Sequence, residues 1–235
     1  MEVSEANMSD DTTQVRLFPA MNREMLHVQI YNILCDNMMM GRFAPGQKLV
    51  LRSLAKDLGT SLMPVRDALQ RLESQGCVIS TPQRTMMVPI LTPEANEGIC
   101  HLRRLLEGDS ARRAALNCSA DQLLRLGIYC DDIREADEKN DLDQFLTANF
   151  RFHMLIAEAS GTPFIVDMLQ PLWMRIGPMV RAAKPERDHL RKAVVKHEAI
   201  FAALKARDPD AAEATMRADI TECQMDLTIP QNLPI

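Results

Sequence analysis

Four polar residues fall on helix faces that otherwise read as apolar. Across residues 141–159, Leu142, Phe145, Leu146, Asn149, His153 and Ile156 recur at helical spacing, which sets an amide and an imidazole four apart on one stripe. Across 187–206 the stripe Leu190, Ala193, Val194, His197, Phe201, Leu204 carries a second imidazole. Across 209–226, Ala212, Met216, Asp219 and Cys223 place a carboxylate on the inner side. An unpartnered polar group in a helical core costs roughly 1–3 kcal/mol, so groups converging from three helices must satisfy one another or bind something. Asn149, His153, His197 and Asp219 form an O,N,N,O donor set that suits a divalent transition metal. A mutually hydrogen-bonded polar core is the other reading, and spacing leaves both open.

Two imidazoles and a carboxylate could also activate water. The chain has no HExxH arrangement and no nucleophile motif. Glu198, beside His197, points about 100° around the helix and is badly placed as a base. The expectation is therefore a binding site, not an enzyme.

The elements that must position this set read as helices at 93–116, 120–139, 141–159, 162–182, 187–206 and 209–226. They are broken at "NCSAD", "KNDLD", "SGTP", "KPERD" and "RDPD", which supply caps and stops. Thr92 is placed to cap the first of them. Upstream the pattern changes. Leu26, Ile30, Ile33, Leu34 and Met38 suggest a helix over 21–40 that ends at Gly41 and "FAPGQ". A short helix fits 50–58, with Leu51, Leu54, Ala55 and Leu58 inward, Gly59 as its stop, and Arg52 and Lys56 four apart on the opposite face.

A third helix follows Ser61, a good N-cap. Pro64 lies in the first turn, where a missing N–H has no intrahelical partner to lose. Val65, Ala68, Leu69 and Leu72 make the buried stripe, Gly76 ends it, and Arg66 and Gln70 share a face pointing away. "CVIST" and "TMMVPI" then read as two short strands around the turn "PQR". Three short helices and a two-stranded wing make a winged helix-turn-helix, whose second motif helix enters the DNA major groove by its N-terminal residues. Arg66 faces outward at that end. A small α+β subdomain with a solvated arginine is the bland alternative.

The stretch "GRFAPGQKLVLRSLAKDLGTSLMPVRDALQRLESQGCV" resembles the N-terminal signature of GntR transcription regulators, "G…PG..L…LA..LGVSR.PVREAL..L...G". The resemblance covers residues 25–90 and implies a DNA-contacting set of Arg52, Lys56, Ser61, Pro64, Arg66, Gln70 and, in the wing turn, Arg84. The family's arginine after the serine is Leu62 here, its wing-tip glycine falls at Thr85, and Asp67 replaces the usual glutamate.

Further on, "FRFHMLIAEASGTP", "KHEAIFAAL" and "AAEATMRADI" resemble the FCD domain of the FadR branch, whose counterparts are "D..FH..L..ASGN", "EH..I..AI" and "A...M..H". In metal-containing members an Asp and a His four apart and two later histidines hold the ion; here these positions are Asn149, His153, His197 and Asp219. The exchange of Asp for Asn149 and of His for Asp219 keeps one carboxylate. The resemblance implies a divalent metal (Zn, Ni or Mn) and a small organic acid effector, such as a sugar acid, hydroxy acid or dicarboxylate. Arg103 and Arg104 match a cavity-lining helix, with Arg175 a further candidate. Because Arg103 precedes Glu107 by four, a plain surface ion pair competes with that role. A metal-free effector pocket is the alternative to the metal reading.

The expected fold is thus mainly α: a winged helix-turn-helix at 21–90 followed by an all-helical bundle of about six helices at 91–227. This second domain would bind effector and dimerise, and polar (1–20) and irregular (228–235) tails flank the two. A ligand-responsive homodimeric repressor on double-stranded operator DNA is the function implied. The net charge of −5 hides an asymmetry, with seven Lys/Arg against three Asp/Glu in 40–85 and 18 against 23 in 91–235. A basic module on an acidic body suits local DNA contact. Six cysteines without framework spacing read as reduced thiols. No apolar run reaches the roughly 20 residues of a membrane span, and no secretion signal precedes the fold, so a cytoplasmic location without membrane contact is expected.

Overall fold

The computed structural model describes residues 23–183 and 187–226. The expected terminal tails at 1–20 and 228–235 lie outside them. The N-terminal part runs α1 (Arg23–Met39), β1 (Lys48–Leu49), α2 (Leu51–Asp57), α3 (Leu62–Ser74), β2 (Ile79–Ser80) and β3 (Met86–Met87). Helix α3 buries Val65, Ala68, Leu69 and Leu72, as its spacing requires. Gly76, at φ 66°, lets the chain reverse, and the Cys77 N–H reaches back to the Leu72 carbonyl at 2.9 Å.

Two expectations change here. The wing has three strands in the order β1-β3-β2, both pairings antiparallel, with Leu49 opposite Met86 and Ser80 opposite Met86. A two-residue strand such as β1 exists only through its partner, so periodicity does not reveal it. In α1 the buried face is Ile30, Tyr31, Leu34, Cys35 and Met38, whereas Leu26 and Ile33 stand 43% and 44% exposed. Apolar residues on both sides of that helix made its inner face ambiguous.

The remainder is helical: α4 (Pro93–Asn117), α5 (Ala120–Lys139), α6 (Leu142–Ala159), α7 (Ile165–Ala182), α8 (Arg187–Ala206) and α9 (Pro209–Asp226). Local chemistry sets the starts. Thr92 accepts from the Ala95 N–H, Ser119 and Gln122 form a reciprocal capping box, and Asp141 accepts from the Gln144 N–H. Helix α7 starts three residues later than its pattern suggests, after a turn through Pro163 and Phe164.

Helix α4 packs along α9, α5 between α6 and α8, and α1 leaves its own domain to pack on α7. Phe152, Leu126, Ile133, Leu155, Leu169 and Ile200 are fully buried between these layers. Five described cysteines are free and buried, and burial pushes the Cys130 thiol up to about 12, so it stays protonated and unreactive.

Candidate functional site

Helices α6, α8 and α9 bring His153, His197 and Asp219 together, one ligand atom from each lying within 4.8 Å of the others. All three are buried, at 2%, 1% and 8% exposure. Each imidazole is oriented from behind. His197 Nδ1 sits 2.7 Å from the Ala193 carbonyl oxygen, an acceptor, so Nδ1 carries the proton and Nε2 keeps its lone pair. His153 Nδ1 sits 2.6 Å from Oε2 of Glu107, which fixes the same tautomer and turns Nε2 to within 3.4 Å of Asp219 Oδ2. Asp219 Oδ1 lies 3.8 Å from His197 Nδ1.

One atom is left over. His197 Nε2 is buried and has no hydrogen-bond partner among the described residues. A neutral imidazole nitrogen with its lone pair unmatched, on a ring that stands beside a second imidazole and a carboxylate, is the donor chemistry a divalent transition metal takes. The residues fit the ion.

The electrostatics follow from burial and pairing. Burial alone would raise the Glu107 carboxyl, but the Arg103 guanidinium and His153 outweigh it and hold it below its ordinary value. Burial opposes protonation of His153, yet Glu107 and Asp219 lift it above the ordinary histidine range. Asp219 is likewise held low against its own burial by His197 and His153. His197, with less compensation, is lowered by burial.

These groups border a cavity of about 40 Å³, whose wall also includes Arg103, Asn149, Trp173 and His189. Asn149 is half-buried, and Trp173 Nε1 is buried without a partner among the described residues. The predicted Arg103–Glu107 ion pair exists at 2.6 Å, but it is buried, not superficial. The Arg103 guanidinium carbon also stands 3.9 Å over the Trp173 ring.

The other two arginines expected here are elsewhere. Arg104 pairs with Glu97 at 3.2 Å and is not in the cavity wall, because it lies about 100° around α4 from Arg103. Arg175 donates from Nε to the Gly76 carbonyl at 3.2 Å and from Nη2, on the same edge, to the Gln75 carbonyl, at the end of α3. Glu198 points away to Arg134. Sequence reasoning missed two polar cavity residues, His189 and Trp173, and the role of Glu107 behind His153. His189 had a signal, standing eight before His197 on one helical row. Trp173 and the histidine-facing side of Glu107 had none, since both depend on how α4 and α7 cross α6.

At the other end of the molecule, Arg52, Lys56, Ser61, Arg66, Gln70 and Arg84 are exposed and Pro64 is half-buried. Arg66, Gln70, Glu73 and Arg84 border a groove of about 660 Å³ between α3 and the wing. Ser61 is the N-cap residue of α3 by position, without a side-chain cap bond. Leu62 and Met63, on the first turn, are exposed at 39% and 58%. The left-handed residue of the wing turn is Arg84, at φ 59°, one before Thr85.

Residues 26–88 match the model of bacterial regulatory proteins of the gntR family, and residues 98–222 match the FCD domain. This chain belongs to the GntR family, with an FCD domain behind its reading head. Among GntR relatives, the HTH-type transcriptional regulator McbR of Escherichia coli K12 is 30% identical over 81% of this chain and 87% of its own length. The HTH-type transcriptional repressor RspR of the same organism is 27% identical over 90% of this chain and 91% of its own. The solved structure of E. coli McbR/YncC superimposes with a TM-score of 0.81 at 28% identity, covering 86% of this chain and 96% of that one. The chain is a DNA-binding transcription regulator with a ligand-binding FCD domain, and its relatives are regulators, not enzymes.

Proposed function

We propose that this regulator acts as a homodimeric repressor whose FCD cavity holds a divalent metal and senses a small organic acid there. One observation carries the metal reading: the partnerless, buried Nε2 of His197, a residue that stands beside His153 and Asp219. His153, His197 and Asp219 would hold the ion, with Asn149 a fourth oxygen donor at the edge. A bound Zn, Ni or Mn ion supplies a Lewis-acidic position for a carboxylate oxygen. The chain's own residues then select the acid. Trp173 Nε1 offers a buried N–H, and Arg103, braced by Glu107, brings positive charge to the wall. A cavity of about 40 Å³ admits only a small acid without rearrangement.

On the DNA side, Arg66 and Gln70 from α3 would read base edges, with Arg52, Lys56, Ser61, Pro64 and Arg84 set against the backbone or the groove rim. One such head covers one half-site, and a two-fold pair would read a pseudo-palindrome. The repressor assignment rests on RspR, which bears that name. Among the described residues no helix is long and apolar enough to cross a membrane; a role on operator DNA supports a cytoplasmic location.

A metal-free effector pocket is the second reading. It is favoured by His153, which finds Glu107 and Asp219 at its two nitrogens without an ion. Elemental analysis of protein purified without chelator or affinity-resin metal separates the two. A molar equivalent near one supports the metal site, and less than about a tenth supports the metal-free pocket.

A further inference from the structure

Arg175 sits on the same helix as the cavity's tryptophan yet grips the far domain. Trp173 forms part of the cavity wall, with the Arg103 guanidinium 3.9 Å above its ring and the His153 ring 5.2 Å away. Two residues on, about 200° around α7, Arg175 donates to the carbonyls of Gln75 and Gly76. Gln75 is the C-cap of α3, and Gly76 follows it in the left-handed conformation. A cation on the last carbonyls of a helix satisfies orphaned acceptors and complements the helix dipole.

The joint is stiff on both sides. Tyr31 of α1 donates to the Gln75 side chain at 2.7 Å, so the end of α3 is held from a second direction. A methyl group on Gly177 would collide with the Met38 and Met39 carbonyl oxygens at the end of α1, so the two backbones touch with no side chain to yield between them. Within α7, Pro171 and Pro178 each lack the N–H that would continue the helical ladder. They bracket the segment bearing Trp173, Arg175 and Gly177 with two points where the helix bends most easily.

We infer that Arg175 is a positioning residue for DNA recognition: it fastens the C-terminal end of α3 to the α7 segment whose other face reports the state of the cavity. This rests on the metal reading above for its trigger. A ligand that moves Trp173 moves Arg175 with it. Gly76 and Arg66 are ten residues apart, about 15 Å along a helix, so a tilt imposed at one end swings the guanidinium at the other.

The test uses full-length protein, Zn²⁺ alone as probe, and DNA selected from a random pool by the wild type. Trp173 is the chain's single tryptophan, so its fluorescence reads zinc arrival directly. In the wild type, zinc changes both the fluorescence and the DNA affinity, the latter by about fivefold or more. In Arg175→Ala the fluorescence titration keeps its midpoint within about twofold, while the zinc effect on DNA affinity falls below about twofold. Arg175→Lys, which keeps the charge and one donating group, restores part of the effect and covers the case in which the alanine variant folds poorly. A full zinc effect in Arg175→Ala overturns the inference, as does a wild type whose tryptophan responds while its DNA affinity does not. A wild-type tryptophan that ignores zinc overturns the metal reading itself, and the trigger with it.

Discussion

Glu107 accepts the Nδ1 proton of His153 across 2.6 Å, and both side chains are only 1% exposed. The same carboxylate takes the Arg103 Nε–H at 2.6 Å. A carboxylate that fixes an imidazole from behind sets which nitrogen faces a ligand and raises its basicity, which typically changes metal affinity 10–100-fold. Glu107→Gln is therefore expected to weaken Zn²⁺ binding by roughly 10–100-fold in a chelator competition. Unchanged affinity would mean that His153 is held correctly by packing alone.

The same variant should flatten the pH dependence of the metal-free protein. Glu107 and Asp219 are held below their ordinary values of 4.5 and 3.8, so the stability they contribute is complete above those values and lost as pH falls through the lower folded ones. His153 is raised above 6.5, so its contribution is complete below 6.5 and lost as pH climbs through its folded value. His197, lowered by burial, adds a loss as pH drops below 6.5. Chelator-treated wild type should thus lose melting temperature towards acid and, more gently, towards alkali. Glu107→Gln should lose less on both limbs, because Glu107 does more than Asp219 to raise His153. Parallel curves for the two proteins would contradict this.

On the nucleic-acid side, Arg66→Ala should cost about 1–3 kcal/mol against the selected site and relax preference at one base position. Arg84→Ala should instead weaken all sequences alike and reduce the salt dependence by about one phosphate contact. Gel-shift titrations at several salt concentrations distinguish the two patterns. The opposite assignment, with Arg84 carrying the base preference, would move recognition from α3 to the wing.

Leu62 stands 39% exposed where the resembling signature has an arginine. Leu62→Arg should therefore increase affinity for DNA in general and steepen the salt dependence by about one unit, without disturbing the core, since the side chain already faces out. A loss of affinity in that variant would indicate that the leucine makes an apolar contact, such as with a thymine methyl, which the arginine disrupts.

Helix boundaries in the FCD domain were legible because caps are local: Thr92, Ser119 and Asp141 each accept a bond from the N–H three residues on, whatever lies across the bundle. The recognition helix was legible from the spacing of its buried stripe, Val65, Ala68, Leu69 and Leu72, and from Gly76 beyond its end, since Ser61 makes no side-chain cap bond. The metal-ligand candidates showed themselves by breaking apolar stripes. What stayed hidden depends on which helix crosses which. Glu107 offered only its i,i+4 partner, because nothing in α4 reveals that His153 lies opposite. Arg175 and Trp173 are two residues apart, yet one serves the DNA-binding domain and the other the cavity, a division made by the packing of α1 against α7. The resemblance to a cavity-lining helix implies Arg104 together with Arg103, although neighbours on a helix face different ways.

The most direct measurement is metal stoichiometry at the buried triad. Chelator-stripped protein titrated with Zn²⁺ by calorimetry, with elemental analysis of the product, should take up about one ion per chain, releasing protons as it does. Asp219→Ala and His197→Ala should each abolish that uptake. Wild-type protein that binds less than about a tenth of an equivalent, or a His197→Ala variant that binds as well as wild type, would contradict the account.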